Sequence, residues 1–207
     1  MAPDNSFECY EFNQVRFLDL VLTLSGADPG AQPNDQVKYL AEYLERDLGA
    51  ETLLLEAHYI DRHFMEEVSL YYSSCFVSRR NSCSRMHFFK SAIKADRLRA
   101  LLERAASGQG KAVAAELAKD YLGYLVVRPL PSVPVGRTVL SPMGDKPERR
   151  FPTAVGYTAH LLGLELKISA LAFQQQDVAV AACATTSRAG CRRLGCQSSR
   201  CSRRTRE

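Results

Sequence analysis

The chain has 207 residues, 46% hydrophobic and 24% charged, which is enough apolar material for one core of ordinary size. Its net charge of +4 is local: residues 188–207 hold seven arginines and one glutamate, while the rest carries 20 basic and 22 acidic side chains. An acid-leaning body argues against a nucleic-acid protein, and seven cysteines without a regular early spacing do not make a secreted disulfide framework.

The first residues, MAPDNSFECYEF, lack the basic start and apolar stretch of a signal peptide. The longest apolar runs, such as Val178 to Ala184, are too short to span a bilayer. A cytoplasmic protein with no membrane partner is expected. No nucleotide-binding glycine loop, metalloprotease histidine pair or serine elbow is present, so no cofactor and no metal is expected.

Residues 14–24, QVRFLDLVLTL, mix β-branched and long apolar residues in partial alternation and read as a strand. SGADPGAQP (25–33) is a turn, after which Asn34 or Asp35 can cap a helix with Val37, Leu40, Ala41, Leu44 and Leu48 inward and Gly49 as its stop. ETLLLEAHY (51–59) reads as a strand. Asp61 can cap a second helix to about Tyr72, with Phe64 and Val68 inward and Glu66 and Glu67 on an ordinary surface. Residues 73–85 read as a polar loop and Met86 to Phe89 as a strand, with His87 half-buried. Arg79, Arg80, Arg85 and Lys90 read as a solvated basic face beside Phe88 and Phe89.

A charged amphipathic helix is predicted over 94–106, with Leu98, Leu101, Leu102 and Ala105 inward, then a break at Ser107 to Gly110 and a helix over 111–121. Tyr124 to Val127 suits a central strand ended by Arg128 and Pro129, and Thr138 to Leu140 a further one. After a loop over 141–152, Val155 to Leu162 and Leu164 to Phe173 read as strands paired around Gly163.

From Ser187 the character changes. Arginine, serine, glycine and cysteine dominate, Leu194 is the only large aliphatic residue, and nothing offsets the entropy of ordering the chain. Cys191, Cys196 and Cys201 have no zinc-like spacing and no histidine nearby. The expected organisation is one α+β domain over 1–186 and a disordered basic tail over 187–207, with an acidic-surface arm or an out-of-frame translation as explanations for the tail.

Phe173 to Thr186, FQQQDVAVAACATT, is the stretch that carries chemistry. Small residues allow Cys183 to sit in the first turns of a helix, where unpaired N–H groups and the helix dipole stabilise a thiolate. An upstream glutamine amide can stabilise an oxyanion at the same place. The plain alternative is a cysteine buried in an Ala-rich helix.

This segment resembles the nucleophile region of papain-like cysteine peptidases and transglutaminase-like enzymes, and of the bacterial peptidases that process double-glycine leaders. Residues 122–186 also resemble uncharacterised bacterial proteins with the same motif. The resemblance implies a papain-like fold of which this chain is an incomplete N-terminal portion, Gln176 (or Gln175) as oxyanion residue, Cys183 as nucleophile, and a peptide or protein substrate. Those families place the catalytic histidine after the cysteine. Here all four histidines, His58, His63, His87 and His160, precede it. His160 is the candidate base, since a dyad requires only closeness in space. His58 and His63 have the wrong spacing to share a helix face as metal ligands.

A cysteine-peptidase-like protein that is inactive or incomplete is therefore expected, with a non-enzymatic interaction domain whose basic tail binds an acidic partner as the alternative. The nucleotide sequence tests the reading of the tail. A shift of one base near codon 187 should open a frame that continues a patterned helix and later encodes a histidine; its absence would overturn the truncation.

Overall fold

The computed structural model describes residues 7–70, 80–142 and 154–175. Within them lie seven strands: β1 (Phe7–Glu11), β2 (Thr52–Tyr59), β3 (Cys83–Phe89), β4 (Tyr121–Val127), β5 (Val135–Leu140), β6 (Val155–Leu161) and β7 (Leu164–Phe173). They form one antiparallel sheet in the order β1-β2-β3-β4-β5-β7-β6. The α-helices are α1 (Gln14–Ser25), α2 (Asp35–Glu42), α3 (Arg62–Leu70), α4 (Ala95–Arg104) and α5 (Gly110–Ala118). The class is mixed α+β.

Both faces of the sheet are covered. Leu53, Leu55, Met86, Phe88 and Leu125 point to one side and pack on Phe17 and Val21 of α1 and on Val37 and Leu40 of α2. Leu54, Phe89, Tyr124, Val126 and Val139 point to the other, against Leu98 and Leu101 of α4 and Val113 and Leu117 of α5. Residues that alternate along a strand thus serve two separate cores, which is why β3 and β4 are buried throughout.

The sheet also curls towards the α4–α5 side. Only the last three residues of β7 pair with β5, Leu171 to Phe173 against Thr138 to Leu140. The rest of β7 pairs with β6 alone, so this hairpin overhangs the sheet and returns across its concave face. Its turn is tight: Leu162 and Gly163 both have positive φ, 49° and 82°, the backbone of a two-residue turn whose twist matches the strands. Leucine is an unusual residue there, which is why only Gly163 marked the turn in the sequence.

Residues 14–24 form a helix and not the expected strand. The Asn13 side chain accepts the Arg16 N–H, Gly26 closes the other end in the left-handed region, and Phe17, Val21 and Ser25 recur at four-residue spacing as the buried stripe. Helical spacing won over β-branched content. The helix expected after Asn34 is present, capped by the Asn34 side chain on the Val37 N–H, and runs through a π turn at 43–47 before Gly49. Asp61 caps α3 through the Phe64 N–H.

Two other expectations are corrected, and one strand was not foreseen. Cys83 to Arg85 belong to β3 and not to the loop before it. The expected break at Ser107 to Gly110 is present: Gly108 leaves the helical region with φ 97° and kinks the chain between α4 and α5, and Gly110 is the first residue of α5. Tyr121 lies in β4, because α5 stops at Ala118. Strand β1, in the stretch read only for a leader peptide, pairs along β2.

Gly123 is the tightest point of the sheet. It has φ +119°, next to a register shift where Leu122 is an extra residue against β3, and a Cβ there would lie 2.9 Å from Leu140 Cα and closer still to the Val139 carbonyl. Gly123→Ala should cost about 3 kcal/mol or more in urea denaturation. Gly156→Ala, where a Cβ meets nothing, should stay within about 1 kcal/mol of the parent.

Candidate functional site

Strand pairing sets the polar groups of the concave face side by side. Glu56 is opposite Arg85, and His87 is flanked by Leu54 on β2 and Tyr124 on β4. Directly opposed residues project to the same face, so Glu56, Arg85, His87 and Tyr124 form one patch, which Tyr59 and Tyr121 complete. Glu56 Oε2 accepts from Arg85 Nε at 2.8 Å and lies 2.7 Å from its Nη2. The guanidinium stacks over the Tyr59 ring at 4.1 Å and donates through Nη2 to the His160 carbonyl oxygen on β6. One arginine therefore joins β2, β3 and β6.

His87 is fully enclosed. Its Nδ1 is 2.8 Å from the Tyr121 hydroxyl, while Nε2 is 3.6 Å from Glu56 Oε2 and has no hydrogen-bond partner. Burial pushes the imidazole pKa down to about 4, helped by the Arg85 charge and only partly opposed by Glu56. Burial acts to raise the Glu56 carboxyl, but His87 and Arg85 outweigh it and hold the group below the usual carboxylate range. Near neutrality the cluster is an ionised Glu56–Arg85 pair beside a neutral histidine. His87 and Tyr121 are buried, and Glu56 at the rim is the carboxylate of the cluster that reaches towards solvent.

A second buried arginine stands where β4 ends. Arg128 Nη1 pairs with Glu67 of α3 at 3.2 Å, with the two side chains 3% and 8% exposed. Its Nε donates to the Val133 carbonyl, and its Nη2 to the carbonyls of Val135 and Gln175 at 3.2 and 3.1 Å. Gln175 answers on the other side: its N–H donates to the Val135 carbonyl, and its Oε1 accepts the Val135 N–H. The chain leaving β7 is thereby fastened to the start of β5.

The expected site residues fall as follows. Cys183 and Gln176 lie outside the described residues. His160 is on β6 with its ring exposed, and its carbonyl is what the fold uses. Gln175, the alternative oxyanion residue, has its side-chain oxygen committed to Val135. His58 is exposed on β2 and His63 is partly buried on α3. No group of three or more metal-ligating side chains occurs among the described residues.

His87 is buried and not half-buried, because both faces of β3 are covered. Arg85 does not belong to a solvated face, and Glu67 is not on a helix surface. Phase along the strand held the missed signal: Arg85, His87 and Phe89 share one parity, so Arg85 points where two buried side chains point.

Two thiols lie within the described fold, and both are held protonated. Burial pushes Cys83 up to about 12 and also raises Cys9.

The cluster fixes the sign of acid sensitivity. The unfolded chain takes a proton on His87 from about pH 6.5, the folded chain only near about pH 4. Stability is therefore full above about pH 6.5 and falls by about 3 kcal/mol as the pH drops to about 4. Glu56 continues the loss at lower pH, as its depressed carboxyl is finally protonated. Urea midpoints between neutral and acidic pH should show this fall, and His87→Gln should flatten its upper part.

The chain matches no protein-family model, no curated protein and no solved structure, so its chemistry has to be read from its own side chains.

Proposed function

We propose that the chain is a cysteine-peptidase-like protein of papain-like ancestry, acting on a peptide or protein carbonyl. Cys183 is the thiol and Gln176 the oxyanion donor, and hydrolysis is absent or very weak. The reaction would be attack of the Cys183 thiolate on an amide or thioester carbonyl, with the tetrahedral oxygen held by the Gln176 amide and backbone N–H groups. A histidine would take the thiol proton and return it to the leaving group.

The observation that carries this reading is the anchoring of Gln175. Arg128 and Val135 fix the main chain and side chain of the residue just before Gln176, so the segment leading to Cys183 starts from a defined point of the sheet. Because Gln175 is committed to that anchor, Gln176 is the glutamine assigned to the oxyanion. His160 is less well placed as the base. It is opposite Glu165, and Glu165 and Phe173 are eight residue steps apart along β7, about 27 Å. Contact with Cys183 requires the chain after Gln175 to run back along that strand.

A small electrophilic thiol probe at neutral pH tests the assignment. Cys9 and Cys83 should label slowly, because burial raises both thiols. Cys183 is expected to label faster than they do, yet far more slowly than an activated thiolate, and at the same rate in His160→Ala. Rapid labelling of Cys183 that is lost in His160→Ala would overturn the inactive assignment and establish a dyad. Labelling of Cys183 no faster than that of Cys83 would identify a buried structural cysteine and favour the interaction-domain alternative.

A further inference from the structure

We infer that Glu56, Arg85 and His87 form an acid-released latch on strand β6: a proton on His87 Nε2 competes with Arg85 for the Glu56 carboxylate and frees the guanidinium's hold on the His160 carbonyl.

The latch acts on the part of the sheet with the fewest backbone ties. The β6–β7 hairpin joins β5 through three residue pairs at one end, and β6 has no strand partner besides β7 among the described residues. In a two-residue hairpin the pairs alternate between bonded and non-bonded from the turn outward. Leu161–Leu164 is bonded, so His160–Glu165 is not, and the His160 carbonyl points off the free edge. Arg85 is the group that meets it.

The groups facing His87 define what a proton does there. Glu56 and Tyr59 come from β2, Arg85 from β3 itself, and Tyr121 and Tyr124 from β4. Arg137 of β5 and Asp61 before α3 act on the cluster through Tyr59 and Tyr124. At neutral pH the three central groups sum to zero charge. One proton from solvent leaves two cations sharing one carboxylate oxygen inside the fold, which is costly in a dry site. His87 cannot leave, since it is wholly enclosed and held by Tyr121. Arg85 can, because Glu56 at the rim is 23% exposed and gives the guanidinium a route to water. Burial keeps the proton off until the pH is well below neutral. The apolar contacts of Leu161, Leu164 and Leu166 remain, so the response is a loosening of β6 and not the lifting of the hairpin.

Hydrogen exchange by NMR on the full chain, corrected for the intrinsic rate, tests the latch between about pH 7 and about pH 4. Amides of Ala159, Leu161 and Leu166 should lose about tenfold more protection than those of Phe88 and Leu125. The change should share its midpoint with the titration of the His87 ring. His87→Gln should remove the pH dependence, and Glu56→Gln should show a loosened β6 already at neutral pH. Loss of protection in step on β6 and on β3–β4 would mean global unfolding and overturn the latch. So would a β6 midpoint different from that of His87, which can be read in the parent protein even if a variant fails to fold. Neither result depends on Cys183.

Discussion

The sheet depends on a guanidinium that satisfies two kinds of acceptor at once. Arg85 pairs with a carboxylate on the neighbouring strand and with a backbone carbonyl on a strand at the far edge of the same sheet. A lysine ammonium on that stem is a point charge and has no fixed fork to span both acceptors. The carbonyl it reaches would otherwise face an interior without a partner, because the curl turns the free edge of β6 back over the concave face. An unpaired buried carbonyl is expensive, and so is an unpaired buried cation. Arg85, Glu56 and the His160 carbonyl relieve one another.

Arg128 repeats the device at the other end of the same hairpin. It too is buried, paired with a buried glutamate, and donates to backbone carbonyls, here of Val133, Val135 and Gln175. Arg85 grips the hairpin near its turn, and Arg128 grips the chain just beyond its last pairing with β5. Between these points the described contacts that hold the hairpin over the sheet are the three residue pairs with β5 at its far end and apolar packing on α4 and α5. Packing of that kind is non-directional and tolerates sliding, whereas two forked donors set a position. Buried ion pairs add little net stability over apolar replacements. Their contribution here is to fix where the overhanging strands lie.

How far the sequence disclosed this follows from which signals are local. The helix after Asn34 and the cap at Asp61 were legible because their causes lie within a few residues: a side-chain acceptor, a periodic apolar stripe, a glycine stop. The hairpin at Gly163 was legible for the same reason. Residues 14–24 misled because β-branched content competes with four-residue spacing, and only the second agrees with Asn13 and Gly26 as caps. The cluster was legible only in its strand phase, and nothing local named its partners. Arg85 next to Lys90 and near Arg79 and Arg80 looks like a basic face, and its burial follows from Glu56, twenty-nine residues earlier, and His160, seventy-five residues later. The same holds for Glu67, whose partner Arg128 is sixty-one residues away.

The two arginines also bear on what the candidate thiol segment requires. A nucleophile and its oxyanion donor are effective only when held to within a fraction of an ångström, so the chain that carries them needs a rigid starting point. Gln175 has one: three hydrogen bonds link it to Val135 and Arg128, and Arg128 is itself fixed by Glu67. Among the described residues no comparable contact directs the His160 ring, which is exposed while its backbone serves the fold. Under the proposed reading, the anchored Gln175 is where the approach to the thiol begins, and no base is assigned. That asymmetry, more than any property of Cys183 alone, is the ground for proposing weak hydrolysis and not efficient turnover.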